Sequence, residues 1–293
     1  MTQLDNSAIS LKFITGMHRS GTTWVGQMVD RALPGCVIHE PLNAHAGLKG
    51  VDKWYYGPAE KSQVTTLVGE MIQGRRSFRR WRSKDGFLKN LARSIGGSRY
   101  ERDLAAALGS GSPTLLLKDP FLIRVGSVLA EAFDAKGVIL VRHPAALINS
   151  LKRMEWTLPD LDGLEPGPAQ ADPKLQFAFD VGRFWSTLYA EVVTQLAETP
   201  DHLRLVRHED MCVEPIQIGE EIMTHLGIPA NEKAQEFLRV STSGSAGEMS
   251  GTQLHNMHRD ARKLVFSWRE SLSPAEIEAV RQGGGATLER IYP

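Results

Sequence analysis

The run Leu11-Lys12-Phe13-Ile14-Thr15, followed by Gly16-Met17-His18-Arg19-Ser20-Gly21-Thr22-Thr23, constrains this chain more than any other stretch. An apolar run of strand length ends at a glycine. Beyond the loop, Thr22 to Leu33 carries Trp24, Val25, Met28, Val29 and Leu33 on one helical face. Glycines let a backbone turn its N–H groups inward, and a helix N-terminus adds partial positive charge, so strand, loop and helix in this order make an anion cradle. The spacing is that of the phosphate loop G-x-x-x-x-G-K-[ST], except that Thr22 stands where the lysine belongs. That lysine serves the β- and γ-phosphates of a nucleoside triphosphate, and its absence weighs against a kinase or ATPase. The cation sits inside the loop instead, at Arg19. A glycine-rich turn that holds nothing is the competing reading; Arg19, Ser20, Thr22 and Thr23 converging there speak against it.

The rest of the chain repeats the alternation. Strand-length apolar runs at 36–39, 114–117, 138–141 and 203–206 are separated by helical patterns at 121–133, 144–154 and 175–197. Short continuous apolar strands between amphipathic helices predict an α/β three-layer sandwich with a central parallel sheet. A single domain over 11–293 follows, after a polar and flexible 1–10. Two segments break the pattern. Residues 45–110 are Gly-rich and basic in the middle, and predict a helical insertion over the carboxyl edge of the sheet. Residues 157–173 are acidic and rich in Pro and Gly. Both are expected on the substrate side, because ligands of such sheets bind outside the strands' carboxyl ends. The formal net charge is zero, so any anion site has to be built locally. Two distant cysteines, Cys36 and Cys212, fit a reducing compartment. With no leader pattern and no apolar run long enough to span a bilayer, the expectation is a soluble cytoplasmic protein.

Arg19-Ser20-Gly21-Thr22-Thr23-Trp24 resembles the [KR]-S-G-T-T segment of sulfotransferases that use 3′-phosphoadenosine-5′-phosphosulfate (PAPS). The resemblance implies a P-loop NTPase-like fold with helical insertions over the active site. It also implies PAPS as donor, the bisphosphate PAP as product, and no metal requirement. In that family Arg19, Ser20, Gly21, Thr22 and Thr23 would grip the 5′-phosphosulfate. Trp24 would contact the adenine, with a buried helix face as its equal competitor. A second motif follows the strand at 138–141: Arg142-His143-Pro144, with Ser150 eight residues beyond Arg142. It resembles the family's 3′-phosphate site, where an arginine fork and a hydroxyl distinguish PAPS from ATP. Lys118-Asp119-Pro120 resembles the segment of tyrosine and some prokaryotic sulfotransferases whose lysine reaches the bridging oxygen of the phosphosulfate. Arg262, Lys263 and Ser267-Trp268-Arg269 are similar to the closing region of the carbohydrate and tyrosine enzymes. The Arg-Lys-Gly loop of the cytosolic steroid and phenol enzymes is absent, which leaves the nucleotide closure open. The resemblance runs from Phe13 to Trp268, with no match in 45–110.

Sulfuryl transfer passes through a loose in-line transition state, and it needs cations for the leaving bisphosphate and a base for the acceptor proton. Where cytosolic members carry a histidine two residues after the strand lysine, this chain has Pro120. Glu40 matches the glutamate used by carbohydrate and tyrosine enzymes; His39 competes with it, as does a Glu-Pro turn that merely ends a strand. The basic run Arg75 to Lys84, with Phe78 and Trp81, reads first as a solvated helical face, second as a neighbour of an anionic acceptor, and last as a nucleic-acid site. His255 and His258 lack a third metal ligand, and Phe177, Phe184, Trp185, Leu188 and Tyr189 read as core. The rival functions are a P-loop nucleotide kinase and a non-catalytic binder of adenosine bisphosphate. The partner expected is a small-molecule or glycan acceptor, without nucleic acid or a membrane span. A hydroxyl or an amine of a glycan, specialised metabolite, lipid or peptide is open as the acceptor, with a modest tilt to a glycan or specialised metabolite, and oligomeric state is open.

Overall fold

The structure, a computed structural model, describes residues 9–79, 99–109, 114–153, 157–164, 167–170, 172–242 and 265–293. Five parallel strands, β1 (Ser10–Thr15), β2 (Val37–His39), β3 (Thr114–Lys118), β4 (Lys136–Val141) and β5 (Leu203–Arg207), form one sheet in the order β2-β3-β1-β4-β5. Their near-continuous apolar runs are buried because helices cover both faces. The three-layer α/β architecture is thus as the sequence predicts. β1 begins at Ser10, inside the stretch expected to be flexible.

α1 (Thr22–Ala32) follows β1, and the β3–β4 crossover carries a 3-10 turn (Pro120–Leu122) and α4 (Gly126–Phe133). A single helix over 121–133 was the expectation. Asp119 instead caps the 3-10 turn at Phe121 N–H, and the helix restarts only at Gly126. α5 (Pro144–Arg153) follows β4. The long α6 (Pro173–Glu198) buries Phe184, Trp185, Leu188 and Tyr189 against the sheet, and Phe177 packs at the rim of that core. α7 (His208–Val213), α8 (Pro215–Leu226) and α9 (Glu232–Thr242) close the other face, and α10 (Trp268–Ser271) and α11 (Pro274–Ile291) return across α5 and α6.

The described parts of the 45–110 insertion carry two helices. Its helix α2 (Lys61–Ile72) buries Val64, Leu67, Val68, Met71 and Ile72 and packs on α4, while α3 (Arg99–Gly109) lies against β2. An apolar stripe of that width needs a core, and these helices thicken the layers. Residues 41–57 follow β2 at the carboxyl edge of the sheet, where Leu42 N–H meets Asp119 and Trp54 meets Phe121. The basic run is not helical where it is described. Phe78 is fully buried and bridges Leu48, Arg76 pairs with Glu70, and Arg79 donates to the carbonyls of Ala44 and Val51. Those guanidiniums stitch the loop together. Residues 80–84 lie outside the described residues, as do His255 and His258. Within 157–173, Leu161 is buried and Asp162 pairs with Lys53 at 2.9 Å, which ties this loop to the insertion. Among the described residues no helix is long and apolar enough to cross a membrane, and Cys36 and Cys212 are buried free thiols.

Candidate active site

The register aligns the carboxyl ends of all five strands. Thr15 pairs with Ile139, His39 with Lys118, and Val141 with Arg207. The residues that follow these ends are Gly16, Glu40, Asp119, Arg142 and His208, so the sheet delivers them to one edge.

The phosphate loop is held tightly from behind. Gly16 has φ +148°, and a methyl there would sit 2.2 Å from the Leu140 carbonyl oxygen; Gly21 has φ +97°, and its methyl would sit 2.7 Å from His208 Nδ1. Neither position admits a side chain. Tyr189 on α6 accepts from Met17 N–H at 3.1 Å and donates to Leu140 carbonyl at 2.7 Å, fastening the loop to β4. Gly21 supplies no side-chain cap to α1, and the first turn carries no acid. Its N–H groups therefore suit an anion. Ser20 and Thr22 are buried and Thr23 is half-buried. Trp24 donates to Ser241 Oγ at 2.9 Å and meets His208 edge-on, so its indole N–H serves the α1–α9 contact.

Arg19, at φ +71°, donates from Nε to Ser150 Oγ at 2.9 Å, and Arg142 Nη1 donates to the Arg19 carbonyl at 3.2 Å. The two motifs, far apart in sequence, therefore form one cationic patch. Arg262 and Lys263 lie outside the described residues.

Beside this patch Lys118 Nζ donates to Glu40 Oε1 at 2.7 Å. Lys118 is buried, and Glu40 keeps 25% side-chain exposure. Glu40 adopts φ +47°, a left-handed conformation that costs a β-carbon-bearing residue on the order of 1 kcal/mol. Its surroundings impose this. Glu40 N–H donates to the Lys118 carbonyl, Asn43 Nδ2 donates to Glu40 Oε2, and buried Asp119 takes the Leu42 and Phe121 N–H groups. Burial pushes the Glu40 carboxyl up, but attraction and hydrogen bonding from Lys118, the Asn43 bond and His18 outweigh it, and the net shift is downward. Glu40 is ionised at neutral pH. Asp119 is pushed up to about 7 by burial and by Glu40, against its two N–H donors. His39 lies beside Lys118 in register, yet the bond to Lys118 comes from Glu40.

An aromatic column leads from this pair outward. His18 meets Phe121 at 4.7 Å, Phe121 meets Trp54 at 4.7 Å, and Trp54 meets exposed His45 at 4.7 Å. His18 Nδ1 and Tyr55 hydroxyl share a 2.9 Å hydrogen bond.

Three site histidines are held neutral. Burial takes His18 and His143 down to about 4, with Glu40 opposing it at His18 and Arg269 reinforcing it at His143; burial and Arg142 take His208 well below its ordinary value. A depressed folded pKa gives stability that is complete above the unfolded value near 6.5 and lost as pH falls toward 4. Asp119 has the opposite sign: its folded pKa is raised, so its contribution disappears as pH rises through about 7. Burial depresses His225 as well, so four histidines take up protons on unfolding against one released by Asp119. Stability should therefore fall as pH drops from 6.5 toward 4. Urea midpoints measured at pH 7 and pH 5 check this; equal midpoints would contradict it.

Sequence reasoning missed Tyr189, His208 and Asp119 as site-builders. The strand-end position of His208 and Asp119 was the available signal; Tyr189 carried none.

A family model described as the sulfotransferase family matches residues 13–232. Mouse carbohydrate sulfotransferase 5 is 26% identical over 169 residues, 55% of this chain, and the match spans only 42% of that protein's length. The sulfotransferase domain from the Synechococcus PCC 7002 olefin synthase superposes with a TM-score of 0.50 at 18% identity, covering 95% of this chain and 96% of that one. Mouse sulfotransferase SULT7A1, in a structure complexed with PAP, aligns at TM-score 0.48 and 12% identity, covering 97% of this chain and 86% of that one.

Proposed function

This chain belongs to the sulfotransferase family, and on that premise we propose that it transfers a sulfuryl group from PAPS to a hydroxyl of a glycan or specialised-metabolite acceptor, with Glu40 as the general base. The observation that carries the donor assignment is the contact of the Gly16–Thr23 loop with Arg142 and Ser150 at one place on the sheet edge. A donor with phosphates on the 3′ and 5′ positions of one ribose needs two anion sites side by side. Arg19, the loop N–H groups and the hydroxyls of Thr22 and Thr23 take the 5′ end; Arg142 and Ser150 take the 3′-phosphate.

In the transfer the acceptor oxygen attacks sulfur, and the bond from sulfur to the bridging phosphate oxygen breaks. The electron pair leaves on PAP, where Lys118 and Arg19 offset the growing charge. Glu40 takes the acceptor proton. The Glu40–Lys118 pair gives this step a coupling. As Lys118 turns its charge to the leaving oxygen, Glu40 loses the attraction that depresses its pKa and becomes a stronger base. Glu40 is favoured over His39 because its carboxylate already meets Lys118. The column His45–Trp54–Phe121–His18 ends beside that pair and suits an acceptor that presents its hydroxyl on a ring. Free, buried cysteines are compatible with a reducing, cytoplasmic setting.

Calorimetry with PAP and with ATP plus magnesium, followed by a labelled-sulfate transfer screen across acceptor classes, tests the reading. PAP should bind and the ATP–magnesium pair should not compete with it. Tight magnesium-dependent ATP binding would favour the kinase alternative, and PAP binding without transfer to any acceptor would favour a non-catalytic binder. Arg142→Ala should weaken PAP at least about 10-fold while the chemical step changes little; unchanged affinity would break the 3′-phosphate assignment.

A further inference from the structure

The Arg142-His143 turn is gripped by parts of the chain that the donor assignment does not use. Trp185 Nε1 donates to the Arg142 carbonyl at 2.9 Å, and buried Glu209 accepts His143 N–H at 3.0 Å. The other oxygen of Glu209 accepts from the hydroxyl of Tyr292, one residue from the C-terminal end of the sequence, at 2.8 Å. Tyr292 also meets the His143 ring edge-on at 5.0 Å, and Trp268 stacks flat on its face at 4.5 Å with 8° between planes. His143 Nδ1 accepts from Ala145 N–H, so the ring is locked at the head of α5. The same C-terminal segment holds α5 further along. Asn149 donates to Ser271 Oγ at 2.6 Å and Lys152 pairs with Glu276 at 2.9 Å, on either side of Ser150.

Apart from the Tyr292–Glu209 bond, which reaches His143 through Glu209, these contacts land on the turn or helix that carries Arg142 and Ser150. None of those named lands on the Gly16–Thr23 loop. A guanidinium fork recognises phosphate only if its backbone is fixed, because each bond it makes otherwise costs side-chain and backbone entropy. We propose that Trp268 and Tyr292, the latter through Glu209, are positioning residues for the 3′-phosphate, and that this C-terminal clamp sets the preference for a 3′-phosphorylated nucleotide over one that lacks that group. The proposal rests on the donor reading above.

The test compares PAP with adenosine 5′-monophosphate, which differs only by the 3′-phosphate, on the full chain by calorimetry. Tyr292→Phe removes one hydroxyl and keeps the ring. Trp268→Leu keeps an apolar plug and loses the stack. In either variant PAP affinity should fall about 10-fold while adenosine monophosphate affinity stays within about 2-fold of native, so the ratio collapses. A merely structural role would weaken both nucleotides together. Equal loss for both ligands, or an unchanged ratio in a variant with a native circular-dichroism spectrum, overturns the proposal. One folded variant of the two is enough to decide. If the native protein itself shows no preference for PAP over the monophosphate, the donor reading fails first, and the two failures are told apart.

Discussion

Glu40→Gln is expected to lower turnover at least about 100-fold while PAP binds as tightly as to the native protein. The substitution keeps the volume and removes the ability to take a proton; its one carbonyl oxygen can still accept from Lys118, at the cost of the bond from Asn43 Nδ2, which an amide NH2 cannot accept. The left-handed backbone at Glu40 is held by backbone contacts of Lys118, Leu42 and Asn43 that a glutamine retains. A loss confined to turnover would therefore report base catalysis rather than a displaced loop. The pH dependence sharpens the test. The native carboxyl lies below its ordinary range because Lys118 and Asn43 outweigh burial, so the acid limb of kcat/KM in the native enzyme should fall below the ordinary glutamate value. Gln removes that limb. Native turnover in the purified variant would take Glu40 out of the mechanism and return His39 to consideration.

How much of this could be read from the chain follows from what each feature is made of. The strand–loop–helix at 11–33 was legible because three local signals, an apolar run, paired glycines and a helical stripe, agree over a short stretch. The parallel sheet was legible because buried strands read as continuous apolar runs. Glu40 and Lys118 lie 78 positions apart, and only the family resemblance put them in one site. Their hydrogen bond, and the backbone strain at Glu40, are products of strand order. Tyr189 sits at core spacing beside Trp185 on α6, and nothing local distinguishes a tyrosine that packs from one that fastens a phosphate loop. In the insertion, the stripe Val64, Leu67, Val68 and Met71 at i, i+3, i+4 and i+7 makes α2 a core helix. Arg76 and Arg79 looked like a basic surface because a sequence cannot show which carbonyls a loop leaves in need of donors.

Lys118→Met should produce a loss of comparable size by a different route, with a second signature that separates it from the Glu40 variant. Methionine keeps an unbranched stem, and the stem matters: a methyl added at Gly26 would sit 2.9 Å from Lys118 Cγ, so α1 rides directly on this side chain. The fold should tolerate the exchange. What disappears is the ammonium that offsets charge on the departing bisphosphate, a contribution worth about 100- to 1,000-fold in turnover for a single preorganised donor. The same exchange strips Glu40 of its strongest acid-side support. Burial then acts on the carboxyl with only Asn43 and His18 against it, and its pKa rises. A base with a raised pKa is protonated over a wider range, so the acid limb of kcat/KM moves to higher pH in Lys118→Met. In Glu40→Gln it vanishes. A pH–rate profile over pH 4 to 8 on both variants reads this directly. If Lys118→Met lost turnover with its acid limb unmoved, the ion pair would not govern the base, and the coupling between leaving-group charge and proton removal would fall with it.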